Sequence, residues 1–277
     1  MGDDRILVLK SNGTIISWGY AGSPTFLATV SNVVGMASSL YKALAVKSDG
    51  SVVGWDTYGQ IATPTNLINV VAVAVGNSYG LALTADGKVS AWGYGPQTNI
   101  PTGLSNVVSI AASEYVSLAL KSDGTVVGWG DNSYGQLQIP STATNVAAIA
   151  AGYTHSIALK KNGTVVGWGY NYYGQTDIPV GLSNVVAISG GAQNSMALVG
   201  DAPPVMQAFA TNATVSANGF SVSIPTQSGR VYRLEYVSAL GATNWTALPL
   251  VAGNGGTLML TDASATNGTR FYRVRRW

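Results

Sequence analysis

Three acidic residues have side chains of the type that hydrolyses glycosidic bonds. Such hydrolysis needs two carboxyl groups, one on each side of the scissile bond. Glu114, Asp56 and Asp131 are the acids that we expect to share one face of this molecule. Asp49, Asp86 and Asp123 differ, because each stands directly before a glycine and is expected to serve in a turn. An enzyme that acts on a polysaccharide through Glu114, Asp56 or Asp131 is therefore the alternative function.

The sequence contains few residues that could serve in other kinds of catalysis. The chain has no cysteine, which excludes disulfides, thiolate metal sites and a cysteine nucleophile. His155 is the one histidine, and a repeat described below puts Lys42, Tyr79, Val116 and Asn194 at the same position. A position that varies in this way is expected to serve in a loop or in packing. No cluster of His, Asp or Glu has metal-ligand spacing, so the sequence predicts no catalytic residue, no metal and no cofactor.

Composition limits the class of protein further. Charged residues make up 9% of the 277 residues and hydrophobic residues 47%, with 34 glycines. Disordered chains have high net charge and few apolar groups, and surface helices need Glu, Lys and Arg on their outer faces. The net charge is +2, so no overall field attracts nucleic acid. We therefore expect an all-β protein without a nucleic-acid partner.

A repeat organises the first 200 residues. Five tryptophans at 18, 55, 92, 129 and 168 lie 37, 37, 37 and 39 residues apart, and each ends a phrase such as Thr125-Val-Val-Gly-Trp129. An alternating run such as Ser117–Lys121 precedes the phrase, and an Asn-Val pair precedes that run. Each unit predicts four short strands: A after Asn-Val, B in the alternating run, C ending at the Trp, and D ending near a proline. Four strands in a unit of this length indicate a blade of a β-propeller.

Strand directions place the loops. In antiparallel order, the A–B and C–D loops emerge at one face and the Asp-Gly or Asn-Gly turns between B and C at the other. The tyrosines of the repeats all map to the A–B and C–D loops, and so does the two-residue insertion in units four and five. Tyrosine provides large contact area at low entropic cost, which suits a binding surface. The predicted binding residues are Tyr41, Tyr58, Tyr79, Tyr94, Tyr115, Tyr134, Tyr153, Tyr170, Tyr172 and Tyr173.

The repeat resembles a known family. The segment His155-Ser-Ile-Ala-Leu-Lys-Lys-Asn-Gly-Thr-Val-Val-Gly-Trp-Gly169, followed by Tyr173-Gly-Gln175, is similar to a repeat of the regulator-of-chromosome-condensation family. The short unit is most similar to bacterial members, among them a propeller-type β-lactamase inhibitory protein. The resemblance covers about residues 4–200 and implies a propeller, while the family's functions range over exchange factors, inhibitors and scaffolds. The usual ring has seven blades; here about five are present, and either a closed five-bladed ring or a fragment of a longer repeat protein fits.

A second module is expected after the repeats. We divide the chain into a propeller at 1–200, a linker at 201–206 and a small antiparallel β-sandwich at 207–277. The last segment resembles C-terminal modules of secreted proteins from environmental bacteria. Six of the seven arginines lie in it, which suggests an anionic surface polymer as a possible ligand beside the plain interpretation as polar strand faces.

These observations favour a non-catalytic protein-binding or scaffold module whose partner the sequence does not identify. A purely structural repeat is a further alternative. No transmembrane stretch and no signal peptide are visible. With the resemblance to secreted bacterial proteins, we expect an extracellular or cell-surface location; the lack of a visible signal peptide fits the alternative in which the chain is a fragment without its N-terminal segment.

Overall fold

The architecture is all-β. The computed structural model describes residues 5–10, 12–19, 25–56, 59–201, 204, 210–239, 241–265 and 269–277. Two short 3-10 helices, Thr25–Thr29 and Pro96–Thr98, accompany the strands in this part of the chain. The strands of the repeat region are β1 Arg5–Leu9, β2 Ile15–Gly19, β3 Val33–Ser38, β4 Lys42–Lys47, β5 Val52–Asp56, β6 Gly59–Ile61, β7 Val70–Val75, β8 Tyr79–Thr84, β9 Val89–Gly93, β10 Val107–Ala112, β11 Val116–Lys121, β12 Val126–Gly130, β13 Val146–Ala151, β14 His155–Lys160, β15 Val165–Gly169, β16 Val185–Gly190 and β17 Ser195–Val199. The remaining strands are β18 Thr211–Ser216, β19 Gly219–Pro225, β20 Val231–Val237, β21 Thr246–Ala247, β22 Val251–Ala252, β23 Thr257–Asp262 and β24 Phe271–Arg276.

The repeats fold into successive small antiparallel sheets. In order along the chain these are β1-β2, β3-β4-β5-β6, β7-β8-β9, β10-β11-β12, β13-β14-β15 and β16-β17. Each innermost strand of type A contacts the A strand of the next sheet, through the pairs β3 with β7, β7 with β10, β10 with β13 and β13 with β16. The short Ala, Val and Gly side chains of these strands allow the close approach that a propeller axis requires. The propeller class is confirmed; the number of blades stays a prediction.

The expected fourth strand forms in one sheet of the described residues, as β6. In the later sheets the segment after the Trp forms consecutive turns instead: the Gly135 amide bonds to the Asn132 carbonyl at 3.0 Å, and the Gln138 amide to the Gly135 carbonyl at 3.0 Å. The Asn132 side chain also accepts the Leu137 amide at 2.9 Å. These local bonds occupy donors that a strand D would have given to the sheet, so the prediction of four strands per blade was wrong for these sheets.

The Asn-Val pair connects neighbouring sheets. All five asparagines adopt the left-handed backbone conformation, with φ between 53° and 58° at Asn32, Asn69, Asn106, Asn145 and Asn184. That conformation turns the chain so that the Asn145 carbonyl accepts the Lys161 amide of its own sheet, at 2.9 Å. The next amide, of Val146, donates to the Gly124 carbonyl in the B–C turn of the preceding sheet, at 3.1 Å. Because the pattern repeats at every junction, the pair joins each sheet to its predecessor.

The tryptophans that end strand C recur in every unit, which predicts that they lie in the core. Trp55, Trp129 and Trp168 are buried, whereas Trp18 in the first sheet is 49% exposed. The last sheet of the repeats also exposes apolar side chains to solvent. Met196 and Leu198 in β17 are 61% and 63% exposed, although Ile157 and Leu159, at the same positions in β14, are 1% exposed. The two sheets at the ends of the array therefore each present an apolar surface that a neighbouring sheet covers elsewhere.

The C-terminal segment contains two sheets. One has the order β18-β19-β23, and in the other β20 pairs with β21, β22 and β24. Buried side chains from both meet in one cluster that includes Val222, Ile224, Tyr232, Leu234 and Val274. The four strands expected near 220–224, 230–236, 257–260 and 270–275 are present. The boundaries at 200 and 207 stay predictions, and most of the expected linker lies outside the described residues.

This segment packs against the repeats. Leu250 and Trp277 are buried in the same cluster as the propeller residues Leu83, Val107 and Leu120. Backbone amides cross as well, from Gly229 to the Val34 carbonyl at 2.6 Å and from Leu250 to the Ala85 carbonyl at 2.7 Å. Ala85 precedes the Asp86-Gly87 turn, so the segment lies on the face that carries the B–C turns, which we call the turn face.

Candidate interaction face

The A–B and C–D loops lie together, as the strand directions predicted. The first residue after each later C strand donates its amide to the A–B loop of the same sheet: Tyr94 to the Ser78 carbonyl at 3.2 Å, Asp131 to Tyr115 at 2.8 Å and Tyr170 to Thr154 at 3.0 Å. We call the surface formed by these two sets of loops the loop face. It lies at the strand ends opposite to the B–C turns, which are covered in part by the C-terminal segment.

Most of the described tyrosines on this face reach solvent. Exposed fractions are 49% for Tyr41, 82% for Tyr94, 49% for Tyr134, 41% for Tyr153, 77% for Tyr172 and 57% for Tyr173. Tyr115 and Tyr170 are half-buried. Tyr58 lies outside the described residues. Large exposed aromatic area concentrated on one side of a rigid scaffold is the kind of surface that proteins use for binding.

Tyr79 does not belong to the binding surface, and its prediction as a binding residue was wrong. It begins β8 and is 2% exposed. Its hydroxyl donates to the Val116 carbonyl at 2.9 Å in the next sheet and accepts from the Ser117 hydroxyl at 3.0 Å. Burial raises the pKa of this phenol, so it stays protonated and able to donate. Tyr79 therefore packs between blades, a role that its residue type and loop-proximal position do not reveal.

Four tyrosines form one aromatic cluster. Tyr170 lies against Tyr134 edge-on, with ring centroids 5.1 Å apart, and stacks on Tyr172 at 6.2 Å. Tyr173 contacts Tyr172 edge-on at 5.0 Å. The C–D loop of unit five, which contains the two-residue insertion, supplies three of these rings, so the longest loops carry the densest aromatic surface. Tyr153 lies outside this cluster and pairs edge-on with Tyr115 at 5.0 Å.

Side-chain amides hold these loops in place. The Gln136 side chain accepts the Tyr134 amide at 2.8 Å, and the Gln175 side chain accepts the Tyr173 amide at 2.9 Å. The Asn171 side chain accepts the Thr176 amide at 2.8 Å. Because the backbone beneath the exposed rings is bonded in this way, a partner does not have to order these loops on binding.

The same glutamines support the blade interfaces, which the sequence analysis missed. The Gln136 carbonyl accepts the Trp168 indole of the next sheet at 2.8 Å, and the Gln97 carbonyl accepts the Trp129 indole at 2.6 Å. Each of these glutamines stands nine residues before the asparagine of the next Asn-Val pair, and this constant spacing was the signal that could have indicated the role.

His155 is a packing residue, as its variable repeat position suggested. It is buried at the start of β14, and its Nε2 lies 3.0 Å from the Ser195 hydroxyl in β17. Burial lowers the pKa of the imidazole below its ordinary value. No acid or second histidine accompanies it in a cluster of three or more ligand-type side chains within the described part of the chain.

The three acids considered for glycoside hydrolysis do not line one cavity. Glu114 lines a depression where the A–B loops converge, whereas Asp56 and Asp131 are not among its lining residues. The Asp131 carboxylate accepts the Ser133 hydroxyl at 2.6 Å and the Ser133 amide at 2.7 Å. These bonds lower the pKa of Asp131, which is the wrong direction for a general acid.

The arginines of the C-terminal segment bond mainly to its own acids. Arg233, Arg273 and Arg275 converge on the buried Glu235 with closest N···O distances of 3.2, 2.7 and 3.9 Å. Arg270 pairs with Asp262. These contacts give the four side chains a structural role, so they lend no support to the suggested anionic polymer ligand.

Comparison with known proteins agrees with this architecture. The model of the regulator of chromosome condensation (RCC1) repeat matches residues 70–96, 107–136 and 146–175. These three segments match the RCC1 repeat, and together they cover less than half of the chain. A search of curated proteins found no match. No helix among the described residues is both long enough and apolar enough to cross a bilayer.

Several solved structures share the fold at low sequence identity. Yeast RCC1 (Prp20), in complex with Kap60, is 21% identical, with a TM-score of 0.59 over 72% of this chain and 66% of that one. Prp20p from Saccharomyces cerevisiae, described with its binding to Gsp1p and histones, gives 0.54 over 70% and 66% at 21% identity. The ectodomain of the Physcomitrella patens receptor kinase CR4 gives 0.59 over 81% and 68% at 17% identity. This chain thus spans slightly less than two thirds of the yeast protein.

Proposed function

We propose that this chain is a non-catalytic protein-binding module that holds its partner on the loop face. The observation that carries the proposal is the difference between the two faces. The C-terminal segment packs on the turn face through Leu250 and Trp277. The opposite face presents six exposed tyrosines on loops with bonded backbones.

The RCC1-type fold supports the general class. The yeast relative is described with the binding of Gsp1p and histones and in complex with Kap60. At about one fifth identity these partners do not carry over to this chain, and the same holds for nucleotide exchange. The extracellular or surface location and the bacterial origin expected from the sequence stay predictions.

The partner can be found by photo-crosslinking. A benzophenone amino acid placed at Tyr172 of the full chain should capture a protein from the proteins secreted by the source organism and the organisms that live with it. The same group at Lys88 should not. Lys88 is the control position for Tyr172, because its side chain is similarly exposed, at 75%, but lies in a B–C turn of the turn face.

The captured protein then tests individual side chains. Tyr172→Ala and Tyr134→Ala should each weaken its affinity by about tenfold or more, since truncating an interface tyrosine costs roughly 2 kcal/mol. The melting temperature should change little because both rings are about half exposed or more. Lys88→Ala should leave affinity unchanged. If Lys88→Ala weakens binding while the tyrosine variants do not, the loop face is not the binding side.

A further inference from the structure

A depression of about 260 Å³ lies where the A–B loops of five successive sheets converge on the axis. It opens on the loop face and is lined by Ser38–Leu40, Asn77, Ser113–Glu114, Tyr153 and Gly190–Ala192. Most of this lining is backbone and small side chains. Glu114 is the one charged side chain among the lining residues that the structure describes.

Hydrogen bonds between consecutive loops fix the shape of the depression. Leu40, Asn77, Glu114 and Tyr153 occupy the same position in four successive repeats. The Leu40 amide donates to the Asn77 side chain at 3.2 Å, and the Asn77 side chain in turn donates to the Glu114 carboxylate. The Tyr153 amide donates to the Gly191 carbonyl at 3.2 Å. Asn77 therefore holds the Glu114 carboxylate in place at the axis before any protein binds.

Tyrosine rings flank this carboxylate. The Tyr153 hydroxyl lies 3.3 Å from that of Tyr115. The pKa of Tyr153 is raised, first by the hydrogen bond with Tyr115 and also by the nearby Glu114 carboxylate. The wall of the depression thus combines one negative charge with the Tyr153 phenol, which Tyr115 supports from outside the wall, and a carboxylate beside an aromatic ring attracts cations.

The charge of the surrounding loop face has the same sign. The described loop-face residues include four acids, Asp56, Glu114, Asp131 and Asp177, against two basic residues, Lys42 and Arg5, which begin β4 and β1. A partner that covers Tyr115 and Tyr153 would also take Glu114 out of water. Burying a carboxylate without a counter-charge is strongly unfavourable, so such a partner must supply a cation there.

Resting on the proposed function, we propose that the axial depression receives the cationic end of a lysine or arginine side chain from the protein partner. Glu114 is its counter-ion, and the Tyr153 ring contacts its stem. Asn77 is a positioning residue, because it holds the carboxylate. The loop face therefore selects a partner with a projecting basic residue surrounded by surface that packs on the tyrosine cluster.

Small probes test the depression without the partner. N-acetyl-arginine amide, titrated into the ¹⁵N-labelled full chain, should shift the Asn77 side-chain amide and the Tyr153 and Gly191 backbone amides in a saturable way. The affinity should be weak, on the order of millimolar, and should fall with added salt. The uncharged analogue N-acetyl-citrulline amide should not produce these shifts. Equal binding of the two probes would overturn the proposal.

Glu114→Gln is the decisive variant because it keeps the shape of the side chain and removes the charge. It should weaken binding of the arginine probe by at least about tenfold. Asp131→Asn, on the same face but outside the depression, should leave probe binding nearly unchanged. Unaltered melting temperatures establish that both variants are folded. Probe binding unaffected by Glu114→Gln would contradict the assignment.

The captured partner separates this inference from the proposed function. If Tyr172→Ala weakens the complex and Glu114→Gln does not, the loop face binds the partner but the depression receives no cation. If both variants weaken it, both conclusions hold. If neither does, both fail.

Discussion

At the scale of single residues, tyrosine has two different roles in this fold, one in packing between sheets and one at the surface. Tyr79 and Tyr94 lie in the same repeat unit, yet Tyr79 is buried between sheets and Tyr94 is 82% exposed. The difference follows from position, since Tyr79 begins strand B beside the next sheet, whereas Tyr94 follows strand C at the outside. His155 occupies the position of Tyr79 two repeats later and likewise bonds to the next sheet.

The buried histidine predicts a pH dependence of stability. Burial lowers the pKa of His155 in the folded state, so the unfolded chain binds a proton more readily. The free energy of unfolding should be fully retained above the unfolded value of about 6.5 and should fall as pH decreases below it. Since this is the one histidine, His155→Asn should remove most of the dependence between about pH 7.5 and pH 5.

Urea unfolding of both proteins at these two pH values measures the effect. Asparagine is chosen because Asn194 stands at the equivalent position of the next repeat. The variant is expected to be less stable at neutral pH, but its loss on acidification should be smaller. Equal losses in the two proteins would show that other groups cause the dependence.

At the scale of elements, the alternation of apolar residues predicted strands A, B and C, and the Asp-Gly and Asn-Gly pairs predicted the turns between B and C. These features are local, so they can be read from spacing alone. The absence of strand D could not be read from spacing, because it depends on whether the Asn132 side chain accepts a hydrogen bond from the Leu137 amide. The Gln136 contact with Trp168 likewise joins residues 32 positions apart and needs the folded geometry.

The left-handed asparagines predict a specific sensitivity to substitution. Asn145 has φ 53°, a conformation that costs a residue with a Cβ roughly 1–2 kcal/mol but that asparagine and glycine tolerate better. Asn145→Ala should therefore lower the free energy of unfolding by about 1 kcal/mol, whereas Asn145→Gly should lower it by less. Chemical denaturation of the two variants tests the point. Equal destabilisation would mean that the asparagine side chain, and not the backbone conformation, stabilises the junction.

At the scale of the whole molecule, the C-terminal segment and the tyrosine cluster lie on opposite faces of the repeats. The sequence predicted the tyrosine side from strand directions. It did not predict that the C-terminal segment packs on the other face, because Leu250 and Trp277 belong to no repeat and their burial depends on docking. This arrangement leaves the loop face free and makes the turn face part of a shared core that includes Leu83 and Val107.

A cavity in that shared core should therefore affect both parts of the chain. Leu250 is 2% exposed, and its amide donates to the Ala85 carbonyl at 2.7 Å. Leu250→Ala should destabilise the protein by about 2–5 kcal/mol, as expected for truncation of a buried leucine. Hydrogen exchange should quicken both around Leu250 and at the amides near Ala85 in the propeller. Met259→Ala, at a 68% exposed position in β23, is the control and should change neither stability nor exchange.

Binding of the arginine probe at Glu114 should persist in both variants, because the depression lies at the opposite strand ends. Faster exchange confined to the C-terminal segment would show that it packs independently of the repeats, and the turn face would then be available to a partner.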